Sequence, residues 1–161
     1  ASTDGPGLVL VAEHIGINME DSPVLDMRGG GGAARSVAWA WSAEGGRLRW
    51  LGGRRELRED GPWEASVVDE DVTPALTVDF EGQGLEVEGL LMNAKYAPMS
   101  GDYAARIEKL ADIESSIDGR WMLAAQHLIS WSTLWRPDIP HELPDLGLLL
   151  ARLAHVEAAF E

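Results

Sequence analysis

Apolar positions along the chain change period near residue 91. Before that point most of them alternate, and after it they recur at three and four residues, the repeats of strand and helix. The clearest helical stripe lies in Gly119 to Trp135, GRWMLAAQHLISWSTLW, where Trp121, Ala124, Ala125, Leu128, Trp131 and Trp135 share one side. Asp118 can accept from the free N–H groups of its first turn. Arg136-Pro137 ends it, since proline has no N–H and the residue before it avoids the helical region. Three tryptophans on one short helix bury several kcal/mol at roughly 25 cal/mol per Å², so this helix is core or interface. A second helix is predicted over Asp102 to Ile117, with Tyr103, Ile107, Leu110 and Ile117 along one side. A third begins at Pro144-Asp145, with Leu146, Leu149, Leu150, Leu153, Val156 and Phe160 as its stripe.

The N-terminal half reads as strands. Leu8 to Ala12, LVLVA, suits a short buried one, and His14 to Met27 shows no helix. Ser36 to Leu51 predicts a hairpin, with Val37, Trp39 and Trp41 on one face and Ala38 and Ala40 on the other. Glu44-Gly45-Gly46 is its turn, and Leu48 and Trp50 return between Arg47 and Arg49. Leu76 to Leu91 predicts a second hairpin around Glu81-Gly82-Gln83-Gly84. The fold class expected is therefore α+β, with antiparallel β-hairpins in the N-terminal half and a three-helix C-terminal half. The acidic run Asp69 to Pro74, DEDVTP, is the expected boundary. Residues 1–70 would form a β-rich region or small β domain, and residues 71–161 a hairpin plus three helices.

Composition narrows the chemistry. The chain has 161 residues, 13 Lys and Arg against 27 Asp and Glu, and a net charge of −14. Such a body repels nucleic acid and anionic membrane. It serves solubility, or it meets a basic partner or imitates DNA. The absence of cysteine removes disulfides, thiolate metal sites and cysteine nucleophiles together. No apolar run reaches the roughly 18 residues of a membrane span, and a cytoplasmic protein is expected. Gly29 to Gly32 would cradle a phosphate if it joined a strand to a helix and ended in Gly-Lys-Ser/Thr. Ala33-Ala34-Arg35 follows instead, then an alternating pattern, so the run reads as a flexible loop. His14, His127, His141 and His155 fall in no ligand or nucleophile spacing, and Glu86 and Glu88 share the wet face of a strand. No enzyme, no cofactor and no metal are expected.

From Leu76 onward the text LTVDFEGQGLEVEG is followed by Tyr96-Ala97-Pro98 before a helix, then Ser130-Trp131 within LISWSTL, then a proline-bearing connector and ELPDLGLLLARLAHV. That order of features resembles the tail assembly chaperones of long-tailed bacteriophages, over about residues 76–160. The resemblance implies a non-enzymatic phage assembly protein in the host cytoplasm that binds a helical, tape-measure-like partner. Trp121, Trp131, Trp135, Leu149, Leu153 and Phe160 would form the partner-binding surface, offering apolar side chains to an amphipathic helix. A homo-oligomer is expected on the same ground, with no nucleic acid and no membrane as partners. The alternatives are a structural virion protein and an acidic inhibitor that mimics DNA.

Overall fold

The run Val24–Arg28 forms strand β1 at the centre of a five-stranded sheet. The computed structural model describes residues 2–69, 71–114 and 116–160. Glu70 of the acidic run and Ser115 of the second expected helix lie outside the described residues. The elements are α1 (Asp4–His14), β1, α2 (Gly32–Ala43), β2 (Arg47–Trp50), β3 (Leu76–Asp79), β4 (Leu91–Asn93), α3 (Tyr103–Ala111), β5 (Ile117–Asp118), α4 (Arg120–Ser130) and α5 (Leu146–Ala159). The strand order is β2-β1-β3-β4-β5. Every pair is parallel, with Leu25 beside Leu48 and Leu76, Val78 beside Met92, and Met92 beside Ile117. An isolated parallel bridge from Leu48 to Val67 adds a rudiment of a further strand outside β2.

This corrects the expected fold class. The sheet is all-parallel and the chain is α/β, with no antiparallel hairpin among the described residues. The hairpin that alternation predicts over Ser36 to Leu51 is a helix, α2, followed by a parallel strand. Leu76 to Asp79 is a strand, but its neighbours are β1 and β4, and the expected return strand at Leu85 to Val87 is irregular chain. Leu8 to Ala12 belongs to α1. Parallel neighbours cannot be joined by a tight turn and need a crossover, which α2 supplies between β1 and β2.

The core lies on one side of the sheet. Leu25, Met27, Leu48, Leu76, Val78, Met92 and Ile117 are buried there with Leu8 and Val11 of α1, Val37 and Trp41 of α2, and Trp121, Ala125 and Leu128 of α4. Helix α1 touches both α2 and α4. It buries Gly5, Gly7, Leu8, Val9, Val11 and Ala12, so apolar residues occur almost all round it, as in any helix enclosed by others. The glycines permit that enclosure. A Cβ on Gly5 would come within 2.2 Å of the Ser36 carbonyl oxygen on α2. On the opposite side of the sheet the register aligns a polar row, Arg49, Asp26 and Thr77. The Arg49 guanidinium forks onto Asp26 through two 2.8 Å bonds.

The later helices carry side-chain caps. Asp102 accepts from the Ala105 N–H at 3.0 Å and Asp145 from the Leu148 N–H at 2.7 Å. After Ser130 the chain loosens into a π turn, Trp131–Trp135. Ser130, Ser132 and Thr133 donate back to the carbonyls of Gln126 and Ile129 there, a competition that disturbs helix geometry. An ionic knot fastens α5. Glu157 receives Arg120 Nε at 2.9 Å and lies 3.8 Å from Arg106, and both arginines are buried. Arg120 also donates to Asp118 at 3.1 Å. Glu157→Ala strands buried guanidinium charge, which is costly. Because Asp118 remains and Glu157 is 29% exposed, the expected loss is about 2 kcal/mol, below the range for a fully buried pair. Urea unfolding checks this, and an unchanged midpoint would show that the knot is ornamental.

Candidate functional site

Strand β1 leads directly into the glycine run, and the glycine run leads directly into α2. Gly29 takes a φ of +110° at the end of the strand, and its N–H donates to the Gly52 carbonyl at 2.8 Å. Gly30 is needed for contact: a Cβ there would fall 2.4 Å from the Arg55 carbonyl oxygen. Gly31 and Gly32 face open space, with nothing within 4 Å of a Cβ. Gly31 is the N-cap of α2 in extended backbone, no side chain caps it, and the first turn holds no acid. The first N–H groups of a helix have no partner inside it, and the helix dipole adds positive potential at that end. Together these make an anion-binding geometry.

The run sits in a cleft of about 470 Å³ lined by Gly29 to Ala34, Arg54 and Arg55, Phe80 and Glu81, and Ala94. Its place in the sheet explains it. From β1 the chain moves to β2 on one side, while β3 occupies the other. In an open parallel sheet the crevice beyond the carboxyl ends opens at that reversal. Arg54 and Arg55 come from the loop after β2, and Phe80 and Glu81 from the loop after β3. Asp79 holds that second loop: its two oxygens accept from the N–H groups of Glu81 at 2.9 Å, Gly82 at 3.0 Å and Gln83 at 3.0 Å.

A second hollow of about 220 Å³ shares Ala33, Phe80 and Ala94 with the cleft, so the two are contiguous. Asp4, Tyr96, Met122 and Gln126 also line it. Gln126 Nε2 on α4 donates to Asp4 Oδ1 on α1 at 2.7 Å, and the Ser2 hydroxyl donates to the other Asp4 oxygen. Both side chains are half-buried. Tyr96 stacks on Arg120, whose guanidinium carbon is 5.4 Å from the ring centre. Burial alone lowers the Arg120 pKa, but the Glu157 hydrogen bond and the Asp118 carboxylate outweigh it and the net shift is upward.

The residues expected to bind a partner lie elsewhere. Trp121 is 7% exposed and donates to the Leu110 carbonyl at 3.0 Å. Trp131, Leu149 and Leu153 are half-buried. Trp135 and Phe160 are 75% and 86% exposed at the ends of the π turn and of α5. None of the six lines the glycine cleft. The cleft residues had a signal in the sequence that the phosphate-loop pattern does not test. Gly29, Gly31 and Ala34 fit Gly-x-Gly-x-x-Gly/Ala, which needs no Lys-Ser/Thr and follows a strand at the opening of a helix.

No protein-family model matches the chain. No curated protein matches it in sequence. Solved structures do match it in three dimensions. Shikimate dehydrogenase from Aquifex aeolicus superposes with a TM-score of 0.58 at 17% identity, over 95% of this chain and 60% of that one. Quinate dehydrogenase from Corynebacterium glutamicum, in complex with NAD, gives 0.55 at 17% identity over 96% and 62%. The 5-ketofructose reductase of Gluconobacter sp. strain CHM43, in its ligand-free form, gives 0.53 at 13% identity over 96% and 63%. The chain thus spans about three fifths of the length of these proteins. The likeness, with the parallel sheet, overturns the resemblance to phage tail assembly chaperones and the non-enzymatic assembly role drawn from it, with its virion and DNA-mimic alternatives. It also corrects the expectation that the chain is no enzyme, because the matching folds are those of dehydrogenases and a reductase. Among the described residues no helix is long and apolar enough to cross a membrane. What the superpositions show is the fold, a Rossmann-like α/β domain on an all-parallel five-stranded sheet.

Proposed function

We propose that the chain binds a nicotinamide dinucleotide and forms the cofactor-binding part of an oxidoreductase. The observation that carries this reading is the glycine run between β1 and the uncapped start of α2, opening into the cleft at the sheet's reversal point. The residues fit the group. Gly31 and Gly32 leave room for backbone approach, the α2 N–H groups suit a pyrophosphate, and Arg54 and Arg55 add positive charge beside it. Bound there, a nicotinamide supplies hydride transfer, which side chains cannot provide.

The second hollow is the substrate end of this reading. It adjoins the cleft through Phe80 and Ala94. Asp4 offers carboxylate acceptors and Gln126 an amide donor and acceptor, a set that orients hydroxyl groups. A small hydroxylated substrate suits it, in keeping with the shikimate, quinate and 5-ketofructose named for the three structural neighbours. The Gln126–Asp4 bond fixes the amide so that its oxygen faces away from the carboxylate.

Titration of NADH and NADPH against the protein, followed by nicotinamide fluorescence or calorimetry, tests the proposal. Gly31→Val is the matched variant. Gly31 has a φ of −74° and a ψ of −170°, which valine tolerates, and open space where the side chain would go. Expected are a stability in urea lowered by no more than about 1 kcal/mol, since valine is a poorer N-cap than glycine, and at least about tenfold weaker dinucleotide binding, equal to about 1.4 kcal/mol. Absence of binding by the wild type for both dinucleotides would overturn the reading.

A further inference from the structure

In sheets of this kind the carboxylate that meets the adenosine ribose stands at the end of the second strand, about twenty residues past the glycines. Here β2 runs out into Leu51-Gly52-Gly53-Arg54-Arg55. The next acid, Glu56, is exposed and does not line the cleft. A carboxylate from the loop after β3 nevertheless stands against the loop that follows β2. Glu81 reaches across the end of β1, where its Oε1 accepts from the Arg54 backbone N–H and lies 3.7 Å from Arg54 Nε. The approach is close enough that a Cβ on Gly53 would stand 3.0 Å from the same oxygen. The Glu81 side chain is only 8% exposed. No hydrogen bond to its Oε2 is formed among the described residues, that oxygen is not among the fully buried unpaired atoms, and Glu81 lines the cleft.

Resting on the dinucleotide reading above, we infer that Glu81 is this chain's acceptor for the adenosine ribose hydroxyls and makes the cleft select NAD(H) over NADP(H). An ionised carboxylate with an open oxygen accepts from a 2′-hydroxyl. A 2′-phosphate in the same place brings like charge against a nearly buried carboxylate, where repulsion is screened least. Arg54 would otherwise favour that phosphate. Its guanidinium already sits beside Glu81, so its charge is partly spent within the protein. Gly53 belongs to the same corner, because a Cβ there would meet the Gly29 backbone at 2.7 Å and press on Glu81 Oε1 at 3.0 Å.

The test is equilibrium binding of NADH and NADPH to the whole chain, wild type and Glu81→Gln, with urea unfolding of both. Expected for the wild type is at least about tenfold tighter binding of NADH. Glu81→Gln keeps the shape, removes the charge and releases Arg54. Its NADH binding should weaken and its NADPH binding strengthen, so that the preference falls by about tenfold or inverts. The wild-type ratio needs no variant to fold. NADPH binding as tight as NADH, or tighter, overturns the inference and hands selection to Arg54 and Arg55. A folded Glu81→Gln with an unchanged ratio also overturns it, while leaving the dinucleotide reading intact. Failure of both dinucleotides to bind the wild type removes the two together.

Discussion

Trp41→Ala is expected to destabilise the protein by about 4 kcal/mol, whereas Trp39→Ala should change stability by less than about 0.5 kcal/mol. The two positions differ by two residues. On a strand they share a face, as the alternation of Val37, Trp39 and Trp41 suggests. On α2 they are separated by about 200°. Trp41 is 0% exposed and packs with Leu25 and Val37, while Trp39 is 53% exposed. The Trp41 indole N–H donates to the Pro23 carbonyl at 3.1 Å, and a Cβ on Gly46 would strike the same nitrogen at 2.2 Å. Truncation therefore leaves a large cavity, removes one of the two hydrogen bonds to the Pro23 carbonyl, which keeps the Arg47 N–H at 2.9 Å, and loosens the α2–β2 turn. The experiment is a pair of urea denaturation curves. Equal effects at the two positions would contradict a helix here and, with it, the glycine-to-helix geometry on which the cleft depends.

Asp79→Ala is the second large effect, about 3 kcal/mol. The carboxylate is 0% exposed and accepts from three consecutive backbone N–H groups. Hydrogen bonds to a charged acceptor are stronger than neutral ones, and alanine leaves the donors without their partner. Asp79→Asn keeps one carbonyl oxygen and should lose roughly half as much. The change is functional as well as structural, because the loop so held carries Phe80 and Glu81 into the cleft. Dinucleotide titration should therefore weaken in step with the urea midpoint across the series. If Asp79→Ala unfolds at the wild-type midpoint, the loop holds its shape by other means and Asp79 has no positioning role.

The cleft was partly legible before any coordinates. Arg28 ends a short segment with apolar Val24, Leu25 and Met27, and Gly29, Gly31 and Ala34 follow at the right spacing. What hid the pattern was α2 itself. Alanine at 33, 34, 38 and 40 fits either period, and tryptophan at 39 and 41 gives a two-residue beat that only burial resolves. Glu81 was not legible at all as a site residue. It lies 25 positions beyond Glu56 in an expected hairpin turn, and its role depends on β3 standing beside β1.

What the sequence determined by itself is local. Asp102 and Asp145 accept at the starts of α3 and α5, α4 shows its apolar stripe, and Leu76 to Asp79 is extended. The net charge of −14 is likewise independent of fold. These features follow from bonds within a turn or from side-chain type, which neighbours in the chain suffice to specify. Tertiary structure alone decided three things. It set strand direction, because β4 and β5 are three and two residues long and their partners lie far off in the chain. It made Leu8 to Ala12 helical, because α1 touches α2 and α4 and has almost no polar face for a period to reveal. And it assembled the cleft, because the loops after β1, β2 and β3 meet only when parallel strands bring all their carboxyl ends to one edge.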